Sequence, residues 1–216
     1  MTRQNPTLSR KKRETRVGQP PNLTSFIHMQ FAKDSFFLAL QSRLAALNPA
    51  RTVTVNGATV PAVLVVENLP PTFLPPQANT FYVQWGAAEW IAGHPGNGAL
   101  MSISTEISYY TMGSVQSMVD RGRMLAQLDD ELLSICQPAN TEKVDYTQSP
   151  SVDLGTRVFW TQPAFSEGKG AGRFGGRVSF PERVKSGVTD EAESHQDARV
   201  ERKAQLTLYF FSEVSL

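Results

Sequence analysis

Four places in this 216-residue chain carry residues whose types and spacing could do chemistry. Gly170-Ala-Gly172-Arg-Phe-Gly175 spells G-x-G-x-x-G, the pattern that cradles a pyrophosphate. That chemistry needs a buried strand before the glycines and a helix starting directly after them, with its N-terminal amides facing the anion. Gly176-Arg-Val-Ser-Phe-Pro181 cannot begin a helix in time, so the segment reads as a hairpin tip carrying Lys169, Arg173 and Arg177. Asp129, Asp130 and Glu131 are consecutive on a helical pattern and therefore spread around it instead of converging on a metal. His28, His94 and His195 lie far apart without metal-ligand spacing, and His94 sits in a Gly-His-Pro turn where a general base is not expected. Cys136 is the only cysteine, which excludes an intrachain disulfide. It occupies the last apolar position of a helical stripe, as a buried small hydrophobe would. No G-x-S-x-G, H-E-x-x-H or C-x-x-C occurs, so the sequence predicts neither an enzyme nor a bound cofactor or metal.

The remaining chemistry is electrostatic. The formal net charge is +1, with 21 Lys+Arg against 20 Asp+Glu, and it is unevenly placed. Residues 1–20 hold Arg3, Arg10, Lys11, Lys12, Arg13 and Arg16 against Glu14 alone, a net +5, which leaves −4 on the rest. Residues 1–22 contain three prolines and few large apolar side chains, so burial cannot offset their ordering entropy. They read as a basic arm preceding a single domain over 23–216. Phosphates, an acidic protein surface such as a neighbouring copy's body, or solvent alone are its candidate partners. The first residues lack the apolar core of a secretory signal, so export is not expected and Asn22-Leu-Thr24 is not expected to act as a glycosylation sequon. No apolar run approaches the ~20 residues of a membrane span.

These residues need elements to hold them. Phe36, Phe37, Leu40, Leu44 and Leu47 recur at helical spacing over about 33–47, with Asp34 or Ser35 as the cap and Asn48-Pro49 as the stop. A strand at 52–56, the turn pair Asn56-Gly57 and a return strand from Ala58 to Glu67 form a hairpin, with Pro61 confined to an edge or bulge. Strands follow at Thr80–Trp85 and at about 99–110, where Met101, Ile103, Ile107 and Tyr109 alternate with polar residues. A helix at about 115–135 carries a stripe including Leu125, Leu128, Leu132 and Ile135. Late strands fall at 156–160, 177–184 and 204–214, with a long insertion at 166–202. The expectation is an α+β fold, with a mixed, mainly antiparallel sheet and two principal helices on one face. Trp85 and Trp90 flank Gly86-Ala-Ala-Glu89 as core residues or as intersubunit anchors.

The layout over about 31–214 resembles the tail terminator proteins, the tail completion or head–tail joining proteins of long-tailed bacteriophages. The likeness rests on the early helix Phe36–Leu47 followed by a hairpin, and on a strand passing to a helix through Tyr110-Thr-Met-Gly-Ser and Asp120–Leu133. Late strands complete it, with Arg157-Val-Phe-Trp160, Gln162-Pro163 and Gln205–Phe211. The resemblance implies a virion structural protein forming a ring, hexameric in that family, between the tail tube and the head connector. It also implies assembly in the host cytoplasm, with the arm and the tip set either against packaged DNA or against an acidic face of the connector or tube. The arm residues Arg10, Lys11, Lys12, Arg13 and Arg16 and the tip residues Lys169, Arg173 and Arg177 would be the interaction sites. The basic arm and the charged insertion depart from compact members of the family. The rival reading is a nucleic-acid-binding module using the arm, which stacking aromatics interleaved with basic residues on one sheet face would favour.

Overall fold

In a computed structural model, which describes residues 24–69, 76–91, 99–112, 120–167 and 200–211, the chain is built around one long helix wrapped by a curled sheet. Helix α1 (Thr24–Leu47) buries Ala32, Phe36, Leu40 and Leu44, an i, i+4 stripe that seats one face on the sheet. The helix starts about nine residues earlier than the sequence pattern predicts, so Asp34 and Ser35 are interior to it and not caps. Ser35 Oγ donates to Phe31 O and accepts the Val144 amide at 2.9 Å, which ties the helix to a strand far along the chain. Leu47, expected on the buried stripe, is half-exposed, because Ala45 and Ala46 beside it are also exposed where the last turn leaves the core.

Strands β1 (Thr52–Val55) and β2 (Ala58–Pro61) form a separate hairpin. Its turn is Asn56-Gly57 with φ of 50° and 80°, the positive values that this residue pair tolerates. The single return strand expected from Ala58 to Glu67 is divided. Pro61 supplies no amide, and at Ala62 the backbone changes partner: its N–H donates to Arg51 O while its C=O accepts from Phe81 N. Beyond that pivot, β3 (Val63–Val65) joins the main sheet and a 3-10 turn (Val66–Asn68) ends it.

The main sheet has the order β3-β4-β5-β9-β7-β6, with β8 on β9, where β4 is Phe81–Ile91, β5 Leu100–Thr111, β6 Asn140–Asp145, β7 Val152–Trp160, β8 Ala164–Glu167 and β9 Val200–Phe211. Only β3–β4 is parallel. Met101, Ile103, Ile107 and Tyr109 of β5 and Ala204, Leu206, Leu208 and Phe210 of β9 share the inner face, as alternation requires. Helix α2 (Asp120–Ile135) packs there beside α1 through Leu125, Leu128, Leu132 and Ile135, so both helices cover one face of the sheet. The α+β layout expected from the sequence holds. β6 and β8 were not visible in the sequence pattern, and β4 runs six residues beyond Trp85.

Candidate functional site

Two of the three acids that sequence reading singled out on α2 are structural. Tyr109 donates its hydroxyl to Asp129 Oδ1, and Arg202 meets Asp129 Oδ2 at 3.1 Å, so Asp129 ties α2 to β5 and β9. Burial, with Asp129 beside it, drives the Tyr109 phenol far above its ordinary range. Glu131 faces the other way. It accepts from Arg51 Nε at 2.9 Å and from Arg51 Nη2 at 3.0 Å, and Asn48 Nδ2 adds a bond at 2.8 Å. Burial opposes ionisation of Glu131, but these donors outweigh it and hold the carboxyl below the usual range. Asp130 is exposed. The three acids therefore diverge, as their consecutive positions predict.

Cys136 is fully buried, and desolvation pushes its thiol up to about 12. Its carbonyl accepts from Trp160 Nε1 at 2.9 Å, while Arg43 stacks over Trp160 and donates to the carbonyls of Ile135, Pro138 and Asn140. This arginine closes the C-terminus of α2, where backbone acceptors have no helical partner.

The surface left available is the outer face of the sheet, away from both helices. Across β4, β5 and β9 one row reads Gln84, Glu106, Gln205, and the next carries Ser104 and Thr207. With Thr161 and Gln162 as a wall, they line an open groove of about 640 Å³. At its floor Gly86 and Ala87 stand opposite the single residue Ser104 in a β-bulge. A Cβ on Gly86 would lie 2.3 Å from Ser104 Oγ and 3.1 Å from Ser104 O, so the close approach there requires glycine. The groove offers amides and hydroxyls, and its carboxylate, Glu106, is neutralised by Lys203 at 2.7 Å. Among the described residues, none of its hydroxyls donates to a carboxylate.

Toward the far end of β4 the sheet turns apolar. Ile91, Leu100 and Phe211 form one outer row, with Tyr209 and Phe159 beside them. Ile91, Phe159 and Phe211 are exposed. Trp90 registers with Met101 and Phe210, which are buried, yet is itself 61% exposed because β4 projects past the cover of the helices. The two tryptophans thus take opposite roles. Trp85 packs edge-on against Phe36 at 6.1 Å with Lys33 over its ring, while Trp90, on the same face of the sheet, lies beyond the helices and is exposed. β3 covers β4 only over Phe81–Val83, so among the described residues no strand pairs with the outer edge from Gln84 to Ile91.

No family model and no curated protein matches this chain. The predicted arm residues Arg10, Lys11, Lys12, Arg13 and Arg16, the tip residues Lys169, Arg173 and Arg177, and His94 lie outside the described residues. The apolar end of β4, β5 and β9 was missed, because Gly86-Ala-Ala-Glu-Trp-Ile91 lacks strand alternation. Its one sequence signal was the pair Trp90-Ile91. Among the described residues, no helix is long and apolar enough to cross a membrane.

Proposed function

We propose that this protein is a structural component of the head–tail neck of a long-tailed bacteriophage, a ring subunit that terminates the tail tube and joins it to the head connector. It acts by assembly and not by catalysis. One observation carries the reading: the end of the sheet where the edge of β4 that has no strand partner among the described residues adjoins the exposed side chains of Trp90, Ile91 and Phe211. Natural proteins protect such edges with lysine, proline or a covering element, and Gln84–Ile91 contains one charge and no proline. An aromatic anchor beside an unpaired edge suits strand addition or docking by a neighbouring subunit. The interior ties described above, from Glu131, Asp129, Arg43 and Cys136, supply the rigid body that such a subunit needs, and the family likeness in element order supports the same assignment.

Light scattering on the size-fractionated chain, with electron microscopy of the same fractions, tests this. A ring that is lost in Trp90→Ser and that caps isolated tail tubes is the expected result. A strict monomer that ignores tubes and connectors would overturn the assignment. One observation favours a nucleic-acid-binding module instead: Arg157 and Phe159 lie two residues apart on one face of β7, with Tyr209 in register beside Phe159. Arg157 is, however, held by Asn140 Oδ1 at 2.9 Å. Salt-dependent binding of single-stranded DNA that Phe159→Ala weakens at least tenfold would select that reading.

A further inference from the structure

The outer face of the sheet sets two kinds of side chain next to one another, and the neck assignment uses neither. The groove over β4, β5 and β9 offers the amides of Gln84, Gln162 and Gln205 and the hydroxyls of Ser104, Thr161 and Thr207. All three glutamines are exposed, and among the described residues their side-chain amides form no hydrogen bond. Thr161 Oγ1 accepts the Thr207 amide at 3.0 Å, so its own proton stays available to a ligand. An amide both donates and accepts, which suits a ligand whose groups do the same. Aromatic side chains continue the groove. Tyr209 follows Thr207 by two residues on β9, on the same face and about 7 Å further along. Phe159, 44% exposed, stands in register with Tyr209 on β7, two residues before Thr161. Register partners on adjacent strands are about 5 Å apart, so the two side chains stand together beside the amides. Aromatic surface with a few polar groups is the composition of an organic-ligand site, and about 640 Å³ lies within the usual range of about 300–1,000 Å³.

The charge on this face selects among ligands. Lys203 is paired with Glu106 at 2.7 Å, and Arg157 stands opposite Glu142 while donating to Asn140 Oδ1. Glu89 stands opposite Ser102, the register neighbour of Tyr209, and among the described residues no cation pairs with it. Two cations therefore face three carboxylates, and the charge left over beside the rings is negative. A polyanion needs the opposite balance, because its affinity comes from cations that replace its counterions. A sugar chain needs no cation. Its hydroxyls exchange hydrogen bonds with amides, and the C–H faces of its rings pack on aromatic ones.

We propose that the outer face of the sheet binds a neutral oligosaccharide, with Phe159 and Tyr209 stacking against its sugar rings and Gln84, Gln162 and Gln205 pairing with its hydroxyls. Glu89 disfavours sugars that carry carboxylate, sulfate or phosphate. The inference stands apart from the neck assignment, and neither depends on the other.

Screening the full-length chain on an immobilised array of neutral and acidic oligosaccharides, then titrating the oligosaccharides bound into 15N-labelled chain, tests the assignment. Neutral oligosaccharides are expected to bind and to shift the side-chain amide signals of Gln84, Gln162 and Gln205. Their affinity should stay level between about 50 mM and about 200 mM salt, a range over which binding of a polyanion falls steeply. Phe159→Ala should weaken binding about tenfold, through loss of one stacking ring. Gln205→Ala should weaken it as well, and that exposed position keeps the test independent of any loss of packing at Phe159. Leu133→Gln, on the exposed side of α2, should change nothing. An array on which no neutral oligosaccharide binds would overturn the proposal, as would a preference for acidic ones or binding that both substitutions leave intact. Oligo-dT held by the same residues with a steep salt dependence would overturn it in favour of nucleic acid. Self-association that Gln205→Ala abolishes would overturn it in favour of a second copy.

Discussion

Replacing Arg51 with alanine should destabilise the fold by about 2–3 kcal/mol. The Arg51 and Glu131 side chains are only 16% and 9% exposed, and the guanidinium makes two bonds to the carboxylate, at 2.9 and 3.0 Å. Breaking a fully buried pair by removing one partner costs about 3–5 kcal/mol, while an exposed pair contributes about 0–1 kcal/mol. In Arg51→Ala the carboxylate keeps Asn48 at 2.8 Å and Gln127 at 3.3 Å, so the loss falls between those limits. For a chain of this length, 2–3 kcal/mol lowers Tm by roughly 4–12 °C, which urea melts and calorimetry resolve. The joint variant Arg51→Met/Glu131→Leu removes both charges and should be less destabilised than Arg51→Ala. The pH dependence has a defined sign. Glu131 titrates lower in the folded state than its ordinary value of about 4.3. Its contribution is therefore complete above that ordinary value and is lost as pH falls through the folded one. The stability gap between the native chain and Glu131→Gln should be widest near neutral pH and close in acid. An Arg51→Ala variant within about 0.5 kcal/mol of the native chain would refute this account, as would a gap that widens in acid.

Further outcomes follow from other sites. Gly86→Ala should cost about 1–3 kcal/mol by crowding Ser104, and Ser104→Ala should restore part of it, read as Tm in the single and double variants. Gly57→Ala, forced to φ near +80°, should cost about 1–2 kcal/mol in the same assay. Cys136 should resist iodoacetamide in the native chain and react fully once the chain is unfolded in urea, because its thiol is both buried and held near 12. Native-state alkylation at the unfolded rate would contradict its placement.

Where the sequence was legible, one periodicity dominated a segment. The alternation in β5 and the stripe of α2 announce their buried faces, and Asn56-Gly57 announces its turn, because these depend on local backbone geometry alone. The legibility failed where a partner supplied the stabilisation. β6, Asn140-Thr-Glu-Lys-Val-Asp145, looks polar, yet Lys143 is buried across the sheet against Phe210 and Ser35 fixes its backbone from α1. Residues 58–67 look like one strand and are two, since Ala62 exchanges hydrogen-bond partners. The start of α1 was misplaced because Asp34 and Ser35 are good caps in isolation, and Val144 claims Ser35 for another purpose.

The sequence by itself determined the fold class, the uneven charge that sets a +5 segment against a −4 remainder, and the divergence of the α2 acids. All three are properties of residue type and spacing. Only the tertiary structure decided which tryptophan is core and which is surface, where Gly86 must stay bare, and which stretch of β4 has no strand partner among the described residues. Each of those depends on how far one element covers another, and residues distant in sequence set that extent.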